Sequence, residues 1–220
     1  MIDTTKHNNH TKSKDRIQKH GEVFTPAWVV NDMLNLFPEE VWEPQKTFLE
    51  PACGEGAFLV EILKRKLGRL KSENKQEWEW QAAICVSSLY GIELLEDNAE
   101  QCTMNIMRVF LKFYDKNFPD TQDDEIIKAI QFLISRNVIQ GNALTYRKTD
   151  GELIIISEWT ALEKQEFKRK DFTFEGIVTA NEIKKKVENS LFVNLENETE
   201  HGLVKEYKPV NWKNIRYVTE

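Results

Sequence analysis

The stretch TFLEPACGEGAFLVEIL, Thr47 to Leu63, decides how the chain is read. Its first residues are apolar and end on an acid, Glu50. A short turn with two glycines, Gly54 and Gly56, follows. Then Phe58, Leu59, Ile62, Leu63 and Leu67 recur at helical spacing. The pattern predicts a buried strand, a tight turn and an amphipathic helix. Glycines in such a turn let the backbone approach a ligand. The helix start adds unpaired N–H groups and a positive dipole end. The turn lacks the Gly-Lys-Ser/Thr of a phosphate loop and the three-glycine dinucleotide spacing.

Working outward, the same alternation repeats. AAICVSSLYGIEL, Ala82 to Leu94, contains a second strand. A long helix follows from about Glu96 to Phe118, with Ala99, Cys102, Ile106, Val109, Phe110 and Phe113 on one face. Asp123 to Ile134 reads as another helix, and NVIQGNAL, Asn137 to Leu144, as a third strand ending in a polar turn. Strand-helix alternation implies a parallel sheet with covering helices. Before it, Thr25 is a candidate N-cap and Pro26 a first helical residue. Trp28, Val29, Met33, Leu34 and Phe37 would form that helix's apolar side. After Leu144, GELIIISEW reads as a strand, EKQEFKRKDF as a charged connection, and Phe174 to Ile183 as a strand or helix running into a loop.

The 220 residues suffice for one domain with an appendage. Residues 1–19 read as a disordered arm, 20–145 as a cofactor-binding domain and 146–220 as a carboxyl-terminal extension of it. A net charge of −6 argues against a broadly basic surface. The clusters Lys64, Arg65, Lys66, Arg69, Lys71 and Lys164, Lys168, Arg169, Lys170 read as solvated faces. Three cysteines without ligand spacing exclude a zinc site of the common kinds and fit a reducing cytoplasm. No apolar run reaches the length of a membrane span.

In an open parallel sheet, ligands sit beyond the carboxyl ends of the strands. Glu50 there would repel phosphate but pair with an ammonium group. With open N–H groups beside it, the turn suits an amino-acid zwitterion. Glu93, ending the second strand, can accept both hydroxyls of a ribose. Asn142, ending the third, offers an amide to a purine edge. Taken singly, each has a plainer reading: a helix entry, an exposed acid, a turn residue. Cys53 reads as a small buried residue, not a nucleophile. Their order along the strands points to S-adenosylmethionine.

The blocks GEVFTP, FLEPACGEGAF, YGIEL and VIQGNAL resemble, in order, four blocks of N6-adenine DNA methyltransferases of the gamma class. The closest groups are the modification subunits of type I and type IIG restriction systems. The resemblance implies an α/β fold: a Rossmann-like class I methyltransferase sheet with helices on both faces, its downstream strands missing, preceded by an N-terminal helix. It implies S-adenosylmethionine contacts from Phe24, Thr25, Glu50, Pro51, Cys53, Gly54 and Gly56, ribose binding by Glu93, adenine flanked by Ile92 and Leu94, and Asn142 on its exocyclic amine. The family's catalytic Asn/Asp/Ser-Pro-Pro-Tyr/Phe block is not found. Asn181 in FEGIVTANEI stands where its polar residue belongs, but Glu182 and Ile183 replace the prolines. The implied partners are DNA, directly or through another subunit, and a second polypeptide carrying the catalytic block and target recognition. The competing expectation is a catalytically inactive binding or regulatory module of the same fold.

Overall fold

The computed structural model describes residues 25–121, 123–188 and 201–217. The expected arm, residues 1–19, lies outside them, as does Phe24. Helix α1 (Ala27–Leu34) leads to strand β1 (Phe48–Glu50). Then come α2 (Ala57–Leu67), α3 (Lys75–Ser87), β2 (Leu89–Glu93), α4 (Glu96–Asn117), α5 (Asp124–Asn137) and β3 (Val138–Gln140). The three strands form a parallel sheet in the order β1-β2-β3, with Glu50 opposite Gly91 and Glu93 opposite Gln140. The fold is therefore mixed α/β around a parallel sheet.

Local chemistry sets the helix starts. Asn74 Oδ1 accepts the Glu77 N–H of α3 at 3.0 Å, and Asp123 Oδ1 accepts the Glu125 N–H of α5 at 2.8 Å. Helix α2 starts instead from Gly56 at φ 83°, with no side chain capping it. Helix α1 differs from the expectation. Pro26 is its N-cap, Thr25 does not cap it, and Val30 and Leu34 are its buried residues. Trp28 and Met33 are exposed. The run Ala82–Ser87, read with the second strand, is the end of α3. That helix is buried along Trp78–Ser87, so its apolar residues show no one-sided period.

The rest of the chain builds a second, antiparallel sheet. Strands β4 (Ile155–Leu162) and β5 (Glu166–Thr173) form a hairpin; β5 also pairs with β6 (Leu203–Glu206) and β7 (Val210–Asn211). Helix α6 (Phe174–Glu188) lies between β5 and β6 in sequence. The charged connection is thus a turn followed by β5. Its buried positions include Arg169 and Asp171, which masked the strand alternation. Asp171 accepts from Arg169 Nε at 2.7 Å, Ser157 Oγ at 2.7 Å and Tyr207 OH at 3.2 Å. Burial alone would raise the Asp171 carboxyl, but the bonds from Arg169 and Ser157 and the charge of Arg136 hold it below its ordinary value. Phe167, Trp212 and Ile215 join the same apolar core as Leu59, Leu63, Trp78 and Phe110. On the other side, β1 has no strand partner but β2 among the described residues. Leu49 there is 48% exposed.

The basic clusters are largely occupied in structure. Lys64 and Arg65 meet Glu61, Arg69 meets Glu39, and Lys168 meets Glu206. Lys66 is fully buried. Its ammonium donates to the Pro44 carbonyl at 3.1 Å, to Ser88 Oγ at 2.7 Å and to the Lys46 carbonyl. This ties α2 to the entry of β1 and the start of β2. Burial pulls the Lys66 ammonium from an ordinary 10.5 down to about 8. Below pH 8 it is charged in both folded and unfolded chains. Between 8 and 10.5 the unfolded chain keeps the proton that the folded chain has lost, so stability rises with pH. Denaturant titrations of wild type and Lys66→Met should therefore diverge over this window. The gap should move in the wild type's favour by as much as about 3 kcal/mol; a gap independent of pH would contradict it.

Candidate cofactor site

Where β1 ends, the backbone turns back over the tip of β2. The Cys53 N–H donates to the Ile92 carbonyl at 3.0 Å and the Gly54 N–H to Glu93 Oε2 at 2.8 Å. Glu93 Oε1 accepts the Leu95 N–H at 3.0 Å and Asn98 Nδ2 at 3.5 Å. The Glu93 carbonyl takes the Gly141 N–H at 2.8 Å. The tips of all three parallel strands thus meet at Glu93, the first strand's turn on its buried carboxylate and the third strand's on its main-chain carbonyl.

Two left-handed residues make this turn: Gly54 at φ 53° and Gly56 at φ 83°. A Cβ on Gly54 would meet nothing, whereas one on Gly56 would sit 2.6 Å from Cys102 Sγ. Gly91 of β2 lies close under the turn, where a Cβ would stand 2.8 Å from Cys53 Sγ. Cys53 and Cys102 are both buried and reduced. The hydrogen bond with Cys102, then burial, then the carboxylates of Glu93 and Glu50 push the Cys53 thiol far above its ordinary value. It stays protonated and is no nucleophile.

Beside the turn opens a cavity of about 490 Å³. Thr25, Glu50, Cys53 and Gly54 line it, together with Asn98, Asn105, Arg108 and Lys112 of α4. Burial raises the Glu50 carboxyl, partly offset by the Ala52 backbone. No cation pairs with Glu50 among the described residues. Asn105 Nδ2 holds the turn through the Glu55 carbonyl at 2.9 Å.

The other expected site residues sit differently. Pro51 is exposed, while Gly56 and Glu93 are buried; none of the three lines the cavity. Asn142 follows Gly141 beside Glu93, outside the cavity lining. Its Oδ1 accepts the Leu144 N–H at 2.9 Å and its own N–H goes to the Arg147 carbonyl. Ile92 does not flank an open site. It points to the opposite sheet face and is fully buried with Ile154, Ile156 and Phe174. Leu94 is half-exposed. Asn181 lies within helix α6 and is exposed, so it does not stand at a strand end. Sequence reading missed Asn98, Asn105, Arg108 and Lys112. Their signal is a polar stripe at i, i+7, i+10 and i+14 of α4, beside the apolar one.

A family model described as N-6 DNA methylase matches residues 9–117. The chain belongs, through this segment, to the N-6 adenine DNA methyltransferase family. No curated protein and no solved structure matches the chain. The matched segment of this methylase-family chain contains the glycine turn, Glu93 and the cavity-lining part of α4; Asn142 and Asn181 lie beyond it. No helix among the described residues is long and apolar enough to cross a membrane.

The two turn glycines should differ in tolerance. Gly54→Ala meets only the left-handed backbone cost, about 1–2 kcal/mol. Gly56→Ala adds the collision with Cys102 and should lose about 2–4 kcal/mol. Combining it with Cys102→Ala should cost less than the sum of the two single losses in urea unfolding. Equal losses for the two alanine variants would contradict this packing.

Proposed function

We propose that this chain is the S-adenosylmethionine-binding component of an N6-adenine DNA methyltransferase, of the restriction-modification type, working in the cytoplasm. The observation that carries the reading is Glu50. A half-buried carboxylate with no cation paired to it among the described residues shares a cavity with a glycine turn, at the carboxyl edge of a parallel sheet. Ligands collect at that edge in open α/β sheets.

The residues present fit the cofactor in their donor set. Glu50 would take the ammonium of the methionine end. The uncapped start of α2 leaves its first N–H groups open toward the turn, where they would favour a carboxylate. Glu93 would accept ribose hydroxyls. Three protein donors already use it, and Asn98 at 3.5 Å is the most weakly held, so Asn98 would give way first. Asn142 would meet the adenine edge through the second lone pair of its Oδ1. When bound, the cofactor supplies an electrophilic methyl group on a sulfonium. The chain's own part is to fix its direction and exclude water around it.

The acceptor side would come from elsewhere. The sequence contains no Pro-Pro pair. In a sheet of order 3-2-1-4 the fourth strand lies against the outer edge of the first, and β1 has that edge unpaired among the described residues. A second polypeptide with the catalytic block and the target-recognition surface would complete the Rossmann-like sheet there. It would also carry most of the contact with DNA, since this chain has a net charge of −6 and most members of its two basic clusters are engaged internally.

Calorimetry of the full chain with S-adenosylmethionine tests the reading. Wild type should bind, and Glu50→Gln should weaken binding by about tenfold or more. Wild-type affinity should also fall as the pH drops through the raised titration of Glu50, because only the carboxylate pairs with ammonium. Glu50→Gln should lose that acid limb. Absence of wild-type binding overturns the reading.

A further inference from the structure

Besides Glu50, the cavity is lined by two cations that the family blocks do not include. Arg108 and Lys112 stand one helical turn apart on α4. Neither forms an ion pair among the described residues. Both are exposed, so neither is needed for the core. Arg108 is nevertheless held in place. Its Nη1 donates to Asn105 Oδ1 at 2.8 Å, and Asn105 Oδ1 also accepts Gln101 Nε2 at 2.9 Å. Through its own amide, Asn105 holds the Glu55 carbonyl of the glycine turn. The guanidinium is therefore coupled to the turn by one side chain.

Besides Glu55, the cavity lining thus holds one carboxylate, Glu50, and two cations, Arg108 and Lys112, that form no ion pair among the described residues. Charges of opposite sign that line the same space without pairing suit a ligand that carries both signs itself. The geometry points to Arg108, with Lys112 one turn further along the same helix, as the anchor for the carboxylate of a zwitterionic amino-acid ligand whose ammonium lies on Glu50. This inference rests on the cofactor reading above, and makes that ligand the methionine end of S-adenosylmethionine. A guanidinium presents its donors as a planar fork that matches a carboxylate. Lys112, an exposed residue of the same lining, adds a point charge. Asn105 is a positioning residue in this scheme, since it fixes Arg108 and the turn against each other.

The test is calorimetry of the full chain with two ligands, S-adenosylmethionine and its decarboxylated analogue, at low and high salt. For the Arg108→Gln/Lys112→Gln variant, affinity for S-adenosylmethionine should fall about tenfold, and its salt dependence should flatten. Affinity for the decarboxylated analogue, which lacks the group these residues hold, should stay within about twofold of wild type. Thermal unfolding at the wild-type temperature verifies the fold of the variant. Equal loss for both ligands overturns the inference, because the effect would then not run through the carboxylate. An unchanged affinity for S-adenosylmethionine overturns it too, and leaves the cofactor reading standing. A wild type that binds neither ligand removes the cofactor reading and this inference together.

Discussion

The structure around the site depends on one carboxylate accepting backbone N–H groups. Glu93 ends the central strand and takes the Gly54 N–H with one oxygen and the Leu95 N–H with the other. Without that acceptor, the turn after β1 would have an amide directed at a buried strand tip. With it, the turn folds down over β2, Gly56 reaches its left-handed conformation against Cys102, and α2 starts in register with the sheet. The same acid begins the path into α4. A charged acceptor makes stronger bonds than a neutral one, which suits a turn that has few side-chain contacts of its own. The cavity, Glu50 and the open start of α2 are all positioned by this clasp.

Charge placement elsewhere follows a consistent logic. Residues that looked like surface cations are used inside. Lys66 bolts α2 to the strand entries, and Arg169 is packed against Asp171 and the rings of Tyr207 and Trp159. Glu50, by contrast, has no cation partner among the described residues and lines the cavity. Among the described residues, charges in the framework are saturated, whereas Glu50, Arg108 and Lys112 at the cavity form no ion pair, and that contrast supports the proposed ligand site.

The legible part of the sequence was the part whose period matches its burial. Helices α2 and α4 were readable because each has one apolar side and one polar side; β1 is a strand as expected but not a buried one, since Phe48 and Glu50 are half-buried and Leu49 is exposed at the open sheet edge. Helix α3 was not, since it is buried along most of its length and offers no contrast between faces. Strand β5 was hidden because Arg169 and Asp171 occupy inward positions normally filled by apolar residues; only the pair makes that burial affordable. The sequence of α6 is compatible with strand and helix alike, and its helical form takes Asn181 away from any strand end. Ile92 failed as an adenine neighbour for a local reason: Glu93 and Ile92 point to opposite sheet faces, so the acid at the tip and the residue before it cannot serve one ligand. Arg108 and Lys112 went unnoticed because a polar stripe on a long helix reads as solvated surface until a cavity is known to lie under it.

The most direct measurement is amide NMR of the full chain during titration with S-adenosylmethionine. If Glu93 clasps the turn that receives the ligand, the amides of Gly54, Leu95 and Gly141 should shift together, with one common dissociation constant. Shifts confined to α1 or to the antiparallel sheet, with those three amides unmoved, would contradict the account.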